Sequence, residues 1–510
     1  MILKSKYYVT TPVFDTASAP QIGFLYAAIL CDAIARHKRM TGFEVAHFAG
    51  ADTHGANLEH AQERLGAERA TGLERNEKEF EELLNLADVH PTHFQRTYSP
   101  EHVRGVETLL AQTLRHSPMA IYKGQYQGRY CTVDQIDVSD SKKAADCPVC
   151  GRPATLISEE RYFFRLAKFQ DQLVGLYKYR PEFIQPRFRL NDIKGLLATG
   201  LDDIPIGRRA AGAGIPWPDD SEGIVLDRYA DLASYVTGIG FGGTEDRYDE
   251  FKSFWPASLQ VAGKGALASH AIYWPAFLMA ASLPLPRRIF INGVLSLEKE
   301  GLDKRCFAEP IGSIAGSDAI RYYLLREVGY GKSTRVGCNG LVRRCSEELE
   351  EDIASLANRI LGLVARHCDG KIPGRSLNSS VDSSIEIEAG HIQADVRFLL
   401  DHFNFSDGIE KIWTFVASIK RLLADNARYE FADHPDERRR FRDVLYDACQ
   451  GLAWIALMLH PILPQTTDAI WRDLGRTTRL EEQLIDETPW SSLLAGAPIG
   501  KARGAVSGSS

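Results

Sequence analysis

A β-rich run, a proline-bounded turn, a helical run and a second β-run fill residues 6–49, and that order constrains the fold more than any other feature of the sequence. Residues 6–13 (KYYVTTPV) are β-branched and aromatic and lead into a turn-like segment from Asp15 to Pro20. From Ile22 to Thr41, Leu25, Ala28, Ile29, Ala33 and Ile34 recur at helical spacing, and Gly42 ends the pattern. Phe43 to Ala49 predicts a second strand. Strand, turn, helix, strand is the opening of a doubly wound α/β sheet. Such sheets bind nucleotides at the strand carboxyl ends, with phosphates near a helix N-terminus.

Residues 115–225 interrupt this pattern with β-type runs, a cysteine group and proline-rich turns, as an insertion between two halves of one nucleotide fold would. The second half resumes near Leu226 and includes a strand over Arg288–Asn292. From about residue 335 the pattern is helical; Val444, Leu445, Leu452, Ile455 and Leu459 share one face before Pro461 and Pro464 break it. The expected organisation is a first catalytic half over 1–114, an insertion over 115–225, a second half over 226–334, a helical bundle over 335–495 and a disordered tail over 496–510.

With 510 residues, 44 % apolar and 25 % charged, the chain has material for several cores. No run reaches ~18 uninterrupted apolar residues, which argues against a membrane span. MILKSKYYVTTPVF lacks the apolar centre of a signal peptide, so a cytoplasmic location with all nine cysteines reduced is expected. A net charge of −7 does not advertise nucleic-acid binding, although a tRNA partner needs only a local basic face.

TTPVFDTASAPQIGF, then DAIARHKRMTGFEV, then GADTHG resembles the start of methionyl-tRNA synthetases. Those run TTP-aromatic-aromatic, HIGH, a D-x-x-AR-x-x-R-x-x-G helix and G-x-D-x-HG. The resemblance continues in order through YFFRLAKFQ (162–170), GIPWPDD (214–220), SYVTGIGF (234–241), HAIYWPAFL (270–278), DAIRYYLL (318–325), SLANRI (355–360) and LHPILPQTTDAIW (459–471), so it covers nearly the whole chain. It implies a class I synthetase: a Rossmann-like α/β catalytic domain with a zinc-knuckle insertion, followed by an all-α bundle of anticodon-binding type. The implied activity is that of an ATP-dependent ligase, working with Mg2+, that forms an aminoacyl-adenylate.

Both nucleotide signatures are altered. HIGH reads Gln21-Ile22-Gly23-Phe24. In the resemblance Gln21 still donates to ATP phosphate, Gly23 lets adenine approach the backbone, and Phe24 fills a histidine's place without its donor. Losing one such donor costs ~2.7–4 kcal/mol in other enzymes. The KMSKS loop matches INGVLSLEKEGLDKR, with Gly301-Leu302-Asp303-Lys304-Arg305 on the motif and Lys299 as the substitute for its missing lysine. Gln21 and Lys304 are therefore the expected catalytic residues, and Gly23, Phe24, Gly263, Val294, Lys304 and Arg305 the expected ATP contacts. The plain alternatives are a decayed ATP site and a solvated charge run.

For the amino acid, the resemblance assigns the α-ammonium to Asp52 and the pocket to Phe14, Asp15, Arg228 and His270. Asp15 and Arg228 stand where the family has a tyrosine and a tryptophan, Ala230 stands for an aspartate, and the G-K-D turn reads Gly263-Lys264-Gly265. A thioether gains from aromatic contact, whereas a buried carboxylate and guanidinium are costly unless paired. Methionine is therefore not the expected substrate. Asp15 and Arg228 either pair or bind a polar amino acid.

Cys131-x2-Asp134-x12-Cys147-x2-Cys150 matches the family's zinc knuckle with one ligand changed to carboxylate, an accepted zinc ligand. In the bundle, Asn358 and Tyr429 match anticodon-contacting positions, with Arg428 in place of a proline. Three functions remain open. The leading expectation is an activating ligase that passes a non-methionine amino acid to a small-molecule acceptor in natural-product, N–N bond-forming biosynthesis, beside a separate cupin-type enzyme. The others are a divergent methionine–tRNA ligase and a silent binding protein.

Overall fold

The computed structural model describes residues 4–16, 19–52, 67–131, 136–138, 146–147, 151–209, 214–298, 314, 316–376, 379, 381 and 384–500. Its opening is the expected unit: strand β1 (Lys6–Asp15), helix α1 (Ile22–Met40) and strand β2 (Glu44–Asp52). Gln21 caps α1 in extended backbone, and His37, Lys38 and Arg39 complement the negative end of the helix dipole. The helix stops where Gly42 turns to φ +88°, a conformation that disfavours side chains.

Helix α2 (Ala67–Leu86) leads to β3 (His93–Arg96), and α3 (Pro100–His116) follows. Ser99 caps α3, accepting from the His102 N–H at 3.2 Å, with proline at the first helical position. Strands β4 (Ile121–Cys131), β5 (Ile136–Val138), β6 (Thr155–Phe164), β8 (Ile204–Arg209), β9 (Ile215–Trp217) and β10 (Asp220–Val225) build the insertion, an antiparallel sheet in the order β5-β4-β6-β8-β10-β9. Between β6 and β8 the chain leaves that sheet. The short β7 (Ile184–Gln185) pairs in parallel with β12 (Ile289–Asn292), so the insertion supplies an edge strand to the catalytic sheet.

The catalytic sheet has the order β3-β2-β1-β11-β12-β7, with β11 spanning Leu259–Gly263, and all of its pairings are parallel. Strand order reverses between β1 and β11, the place where doubly wound sheets open a ligand crevice. Two cores cover its faces. One holds the helix Asp227–Thr237, α3 and the helix Trp274–Ala280; the other runs from α1 into the helical bundle without a break.

The bundle contains the helices Ser355–His367, Ser384–Asp401, Phe405–Asp425, Pro435–Leu459 and Pro464–Asp473. A buried ion network joins it to α1. Asp32 of α1 lies 2.7 Å from both Arg36 and Arg321, and Arg321 also donates to the carbonyls of Pro461 (2.8 Å) and Ile462 (3.0 Å). Burial pushes the Asp32 carboxyl up, but Arg321 and Arg36 outweigh it and hold it well below the usual carboxylate range. Lys38 and His37 reach Asp401 of the bundle at 2.6 and 2.9 Å.

Two expectations need correction. Residues 496–500 are not a loose tail: the Ile372 N–H donates to the Ala497 carbonyl (2.9 Å), Ile499 to Gly370 (2.9 Å) and Gly500 to Asp473 (2.8 Å). Ala497 and Ile499 pack on the bundle core, a contact that the Gly/Ser-rich composition of the segment concealed. Cys338 is disulfide-bonded, against the expectation of reduced thiols throughout; Cys31, Cys345, Cys368 and Cys449 are not. No helix among the described residues is long and apolar enough to cross a membrane.

Candidate active site

The carboxyl ends of three central strands carry four of the predicted residues. Phe14 and Asp15 end β1, Asp52 ends β2, Gly263 ends β11, and α1 starts beside them at Gln21. Asp15 and Asp52 are register partners. The structure thus brings together residues that the sequence spreads over 250 positions.

Among the described residues, a Cβ built on Gly23 or Gly263 meets nothing within 4 Å. Gln21 is exposed, and its side chain makes no cap bond to the helix it precedes. Asn292, the last residue of β12, is 3 % exposed and keeps its Oδ1 without a partner among the described residues. A buried acceptor left unmatched calls for a ligand or water donor. Val294 is exposed, but its N–H donates to Ser333 Oγ at 3.0 Å. Lys299, Lys304 and Arg305 lie outside the described residues.

The ring of Phe24 is turned toward protein. It meets Phe14 edge-on at 5.5 Å, and Phe14 stacks on Phe80 of α2 at 4.5 Å. Residues 14, 24 and 80 form an aromatic wall behind the strand ends. Phe80 carries no motif and was not foreseen; its only signal is its place on the apolar face of a helical run.

Asp52 is 3 % exposed, and its Oδ1 accepts from the Thr97 hydroxyl at 2.8 Å. His270 is 5 % exposed and engaged on both ring nitrogens, Nδ1 with the Ala266 carbonyl (3.0 Å) and Nε2 with the Tyr235 hydroxyl (2.7 Å). A carbonyl only accepts, so Nδ1 carries the hydrogen and Tyr235 donates to Nε2. Burial lowers the ring's pKa to about 4, so His270 is neutral at physiological pH. His270 is thus held in the interior through Tyr235, which the sequence offered only as a landmark of register.

Asp15 and Arg228 are both exposed, Arg228 in the first turn of the helix Asp227–Thr237. The desolvation argument raised against methionine assumed that both were buried. Exposed charges are solvated, so that argument does not apply.

In the insertion, Cys131 and Cys147 are 1 % and 2 % exposed and share a small core with Val138 and Ala154. The Cys147 N–H donates to Arg152 and the Gly151 N–H returns to Cys147, with Gly151 at φ +68°, a tight turn of knuckle type. Asp134 and Cys150 lie outside the described residues, so only half of the expected ligand set is placed.

In the bundle, Asn358 is exposed, as expected of a contact residue. Tyr429 lies under two guanidinium groups, Arg428 at 4.7 Å and Arg440 at 5.1 Å, while the neighbouring Phe431 is 77 % exposed.

Comparison with known proteins bears on this geometry. Residues 7–158 and 143–361 match the family model described as tRNA synthetases class I (M), and residues 382–501 match the anticodon-binding domain of tRNA ligase. The methionine–tRNA ligase of Caldanaerobacter subterraneus subsp. tengcongensis is 31 % identical over 499 residues, covering 97 % of this chain and 76 % of that protein. The methionine–tRNA ligase of Thermotoga maritima is 29 % identical over 97 % of this chain and 80 % of its own length. Methionyl-tRNA synthetase from Mycobacterium tuberculosis, solved in complex with methionyl-adenylate, superposes with a TM-score of 0.87 at 28 % identity, covering 97 % of this chain and 98 % of that one.

These relatives overturn the small-molecule acceptor and the separate cupin-type partner. The similarity runs through both catalytic and anticodon-binding parts, and the matched proteins are named for tRNA ligation. The altered motifs point to repurposing when taken alone, but substitutions at a few positions leave the rest of the architecture intact. The chain belongs to the methionyl-tRNA synthetase family of class I aminoacyl-tRNA synthetases, ATP-dependent ligases.

Proposed function

We propose that this protein activates methionine with ATP and transfers it to tRNA. One observation carries the reading: the buried carboxylate of Asp52 ends β2 one strand from the switch point, in register with the end of β1 where Phe14 packs with Phe24 and Phe80. A thioether side chain suits aromatic surroundings, and an ammonium suits a carboxylate.

In the proposed reaction Asp52 receives the α-ammonium and turns the substrate's carboxylate toward ATP. A carboxylate oxygen attacks the α-phosphorus, and the bond to pyrophosphate breaks. Gln21 and the N–H groups at the start of α1 face the phosphates, as helix N-termini do. Lys304 and Arg305, which follow β12 in the sequence, would supply the cations for the triphosphate. Mg2+ would accompany the nucleotide. The terminal hydroxyl of tRNA then attacks the acyl carbon and AMP leaves. Tyr429, Asn358 and the bundle are proposed to face the anticodon.

ATP–pyrophosphate exchange across all amino acids, followed by tRNA charging, tests the proposal. Exchange is expected to be fastest with methionine, and acylation to fall steeply with salt. Exchange with no amino acid would overturn the reading; exchange with methionine but no acylation of tRNA would remove its second half.

The insertion is proposed to hold one structural zinc through Cys131, Asp134, Cys147 and Cys150. Two buried thiols in one small core, one of them on a tight turn, fit half of a tetrahedral set. When bound, the ion would cross-link the tip of the insertion. Metal analysis of protein purified without chelator should find one zinc per chain in the native protein and a clear loss in Cys131→Ser. Metal-free native protein would discard the site.

A further inference from the structure

Asp52 sits in a hydrogen-bonded bracket that no sequence motif announces. Above it, the Thr97 hydroxyl donates to Asp52 Oδ1 at 2.8 Å, and Thr97 is itself anchored to β2 by its N–H bond to the Ala51 carbonyl (3.2 Å). Below it, Thr16 gives both its hydroxyl (2.7 Å) and its N–H (3.1 Å) to the Asp52 carbonyl oxygen. Asn76 of α2 donates its amide to the Thr16 carbonyl at 2.9 Å. Thr16, Asp52 and Thr97 are 0 %, 3 % and 2 % exposed, and Asn76 is 7 % exposed. The bracket spans the ends of three neighbouring strands, β1, β2 and β3, and is closed by a helix.

A carboxylate that captures an ammonium must be ionised and must present its oxygens in one orientation. An ionised carboxylate only accepts, so the Thr97 hydroxyl proton goes to Oδ1. Such a bond favours the charged form and restrains the side-chain torsion. Thr16 and Asn76 restrain the backbone from which that torsion starts.

We propose that Thr97 is a positioning residue that fixes the Asp52 carboxylate for the substrate's α-ammonium, with Thr16 and Asn76 fixing the peptide beneath it. The proposal rests on the reading of Asp52 given under the proposed function. Thr97 touches no substrate; it acts through Asp52.

The test compares Thr97→Val, which keeps shape and loses the donor, with Thr97→Ser, which keeps the donor. In ATP–pyrophosphate exchange, Thr97→Val is expected to raise KM for methionine by about 10- to 100-fold, the range for a hydrogen bond to a charged group, and to leave KM for ATP within about twofold. Thr97→Ser should stay near the native values. A second measurement uses 4-(methylthio)butanoate, which is methionine without its amino group, as a competitive inhibitor. Its inhibition constant should not change in Thr97→Val, because only the ammonium contact is disturbed. Equal weakening of both ligands, or a native KM for methionine, would overturn the proposal. If Thr97→Val does not fold, Asn76→Ala takes its place, with the same selective rise expected and a native KM again overturning it. Failure of the native protein to exchange with any amino acid would instead remove the functional reading on which the proposal rests.

Discussion

Tyr235 gives its hydroxyl proton to His270 because the ring's other nitrogen is already committed to a carbonyl. The pair is buried, so removing the donor leaves an acceptor unmatched where water does not reach. Tyr235→Phe should lower the unfolding free energy by about 1–3 kcal/mol, read from chemical denaturation. An unchanged value would show that the hydroxyl is not the ring's partner. At this scale the sequence was legible where a residue follows from a local element: Asp52 ends β2 and Gly23 sits in the first turn of α1. Exposure was not legible. Asp15 and Arg228 take aromatic positions of the family, and a substitution at a wall position reads as a buried charge unless the backbone is known to turn it outward. Thr97 and Asn76 were missed because a hydroxyl or amide in an ordinary helix or turn carries no pattern; only strand order brings them to Asp52.

Helix α1 shows why the elements were easier to read than their contacts. Its apolar spacing, its extended N-cap and its glycine stop are all local, so its limits follow from the sequence within a residue or two. Its partners are not local. The helix begins at the nucleotide crevice, and its middle and end are gripped by the bundle, through Arg321 at Asp32 and through Asp401 at His37 and Lys38. A buried guanidinium with a carboxylate and several carbonyls around it is stable only as a complete set. The bundle therefore sets the angle at which α1 holds Gln21 and Gly23 at the strand ends. The strand Ile184–Gln185 escaped the sequence reading for the opposite reason: two residues give no period, and its assignment to the catalytic sheet exists only in the pairing with Ile289 and Phe290.

Across the whole molecule, buried histidines set the response to acid. Burial lowers the pKa of His47 and His270 to about 4, and of His102 and His460 to about 3. Each binds a proton more weakly when folded than when unfolded, so between the unfolded value near 6.5 and the folded one the unfolded chain holds more protons. Stability therefore rises with pH across that window and is lost as pH falls from about 6.5 toward 4. Asp447 works the other way, because burial raises its carboxyl to about 6 against the opposing charge of Arg375; burial raises Asp318 and Asp468 too, but with His37 also lowered the histidines are five against three. Thermal unfolding between pH 7.5 and 4.5 should show a melting temperature that falls with acid; a flat profile would mean that the histidines open to solvent before the fold is lost.

The position of β1 also has a consequence for how the chain is made. Its neighbours are β2, about forty residues later, and β11, which begins at Leu259. A ribosome adding ~5–20 residues per second completes one side of β1 within seconds but leaves the other an open hydrogen-bonding edge until about 250 residues have emerged. During that interval the future switch-point crevice is a bare strand edge, able to pair with any extended segment nearby. Nascent chains halted before residue 259 should therefore be the form of this protein most dependent on chaperones.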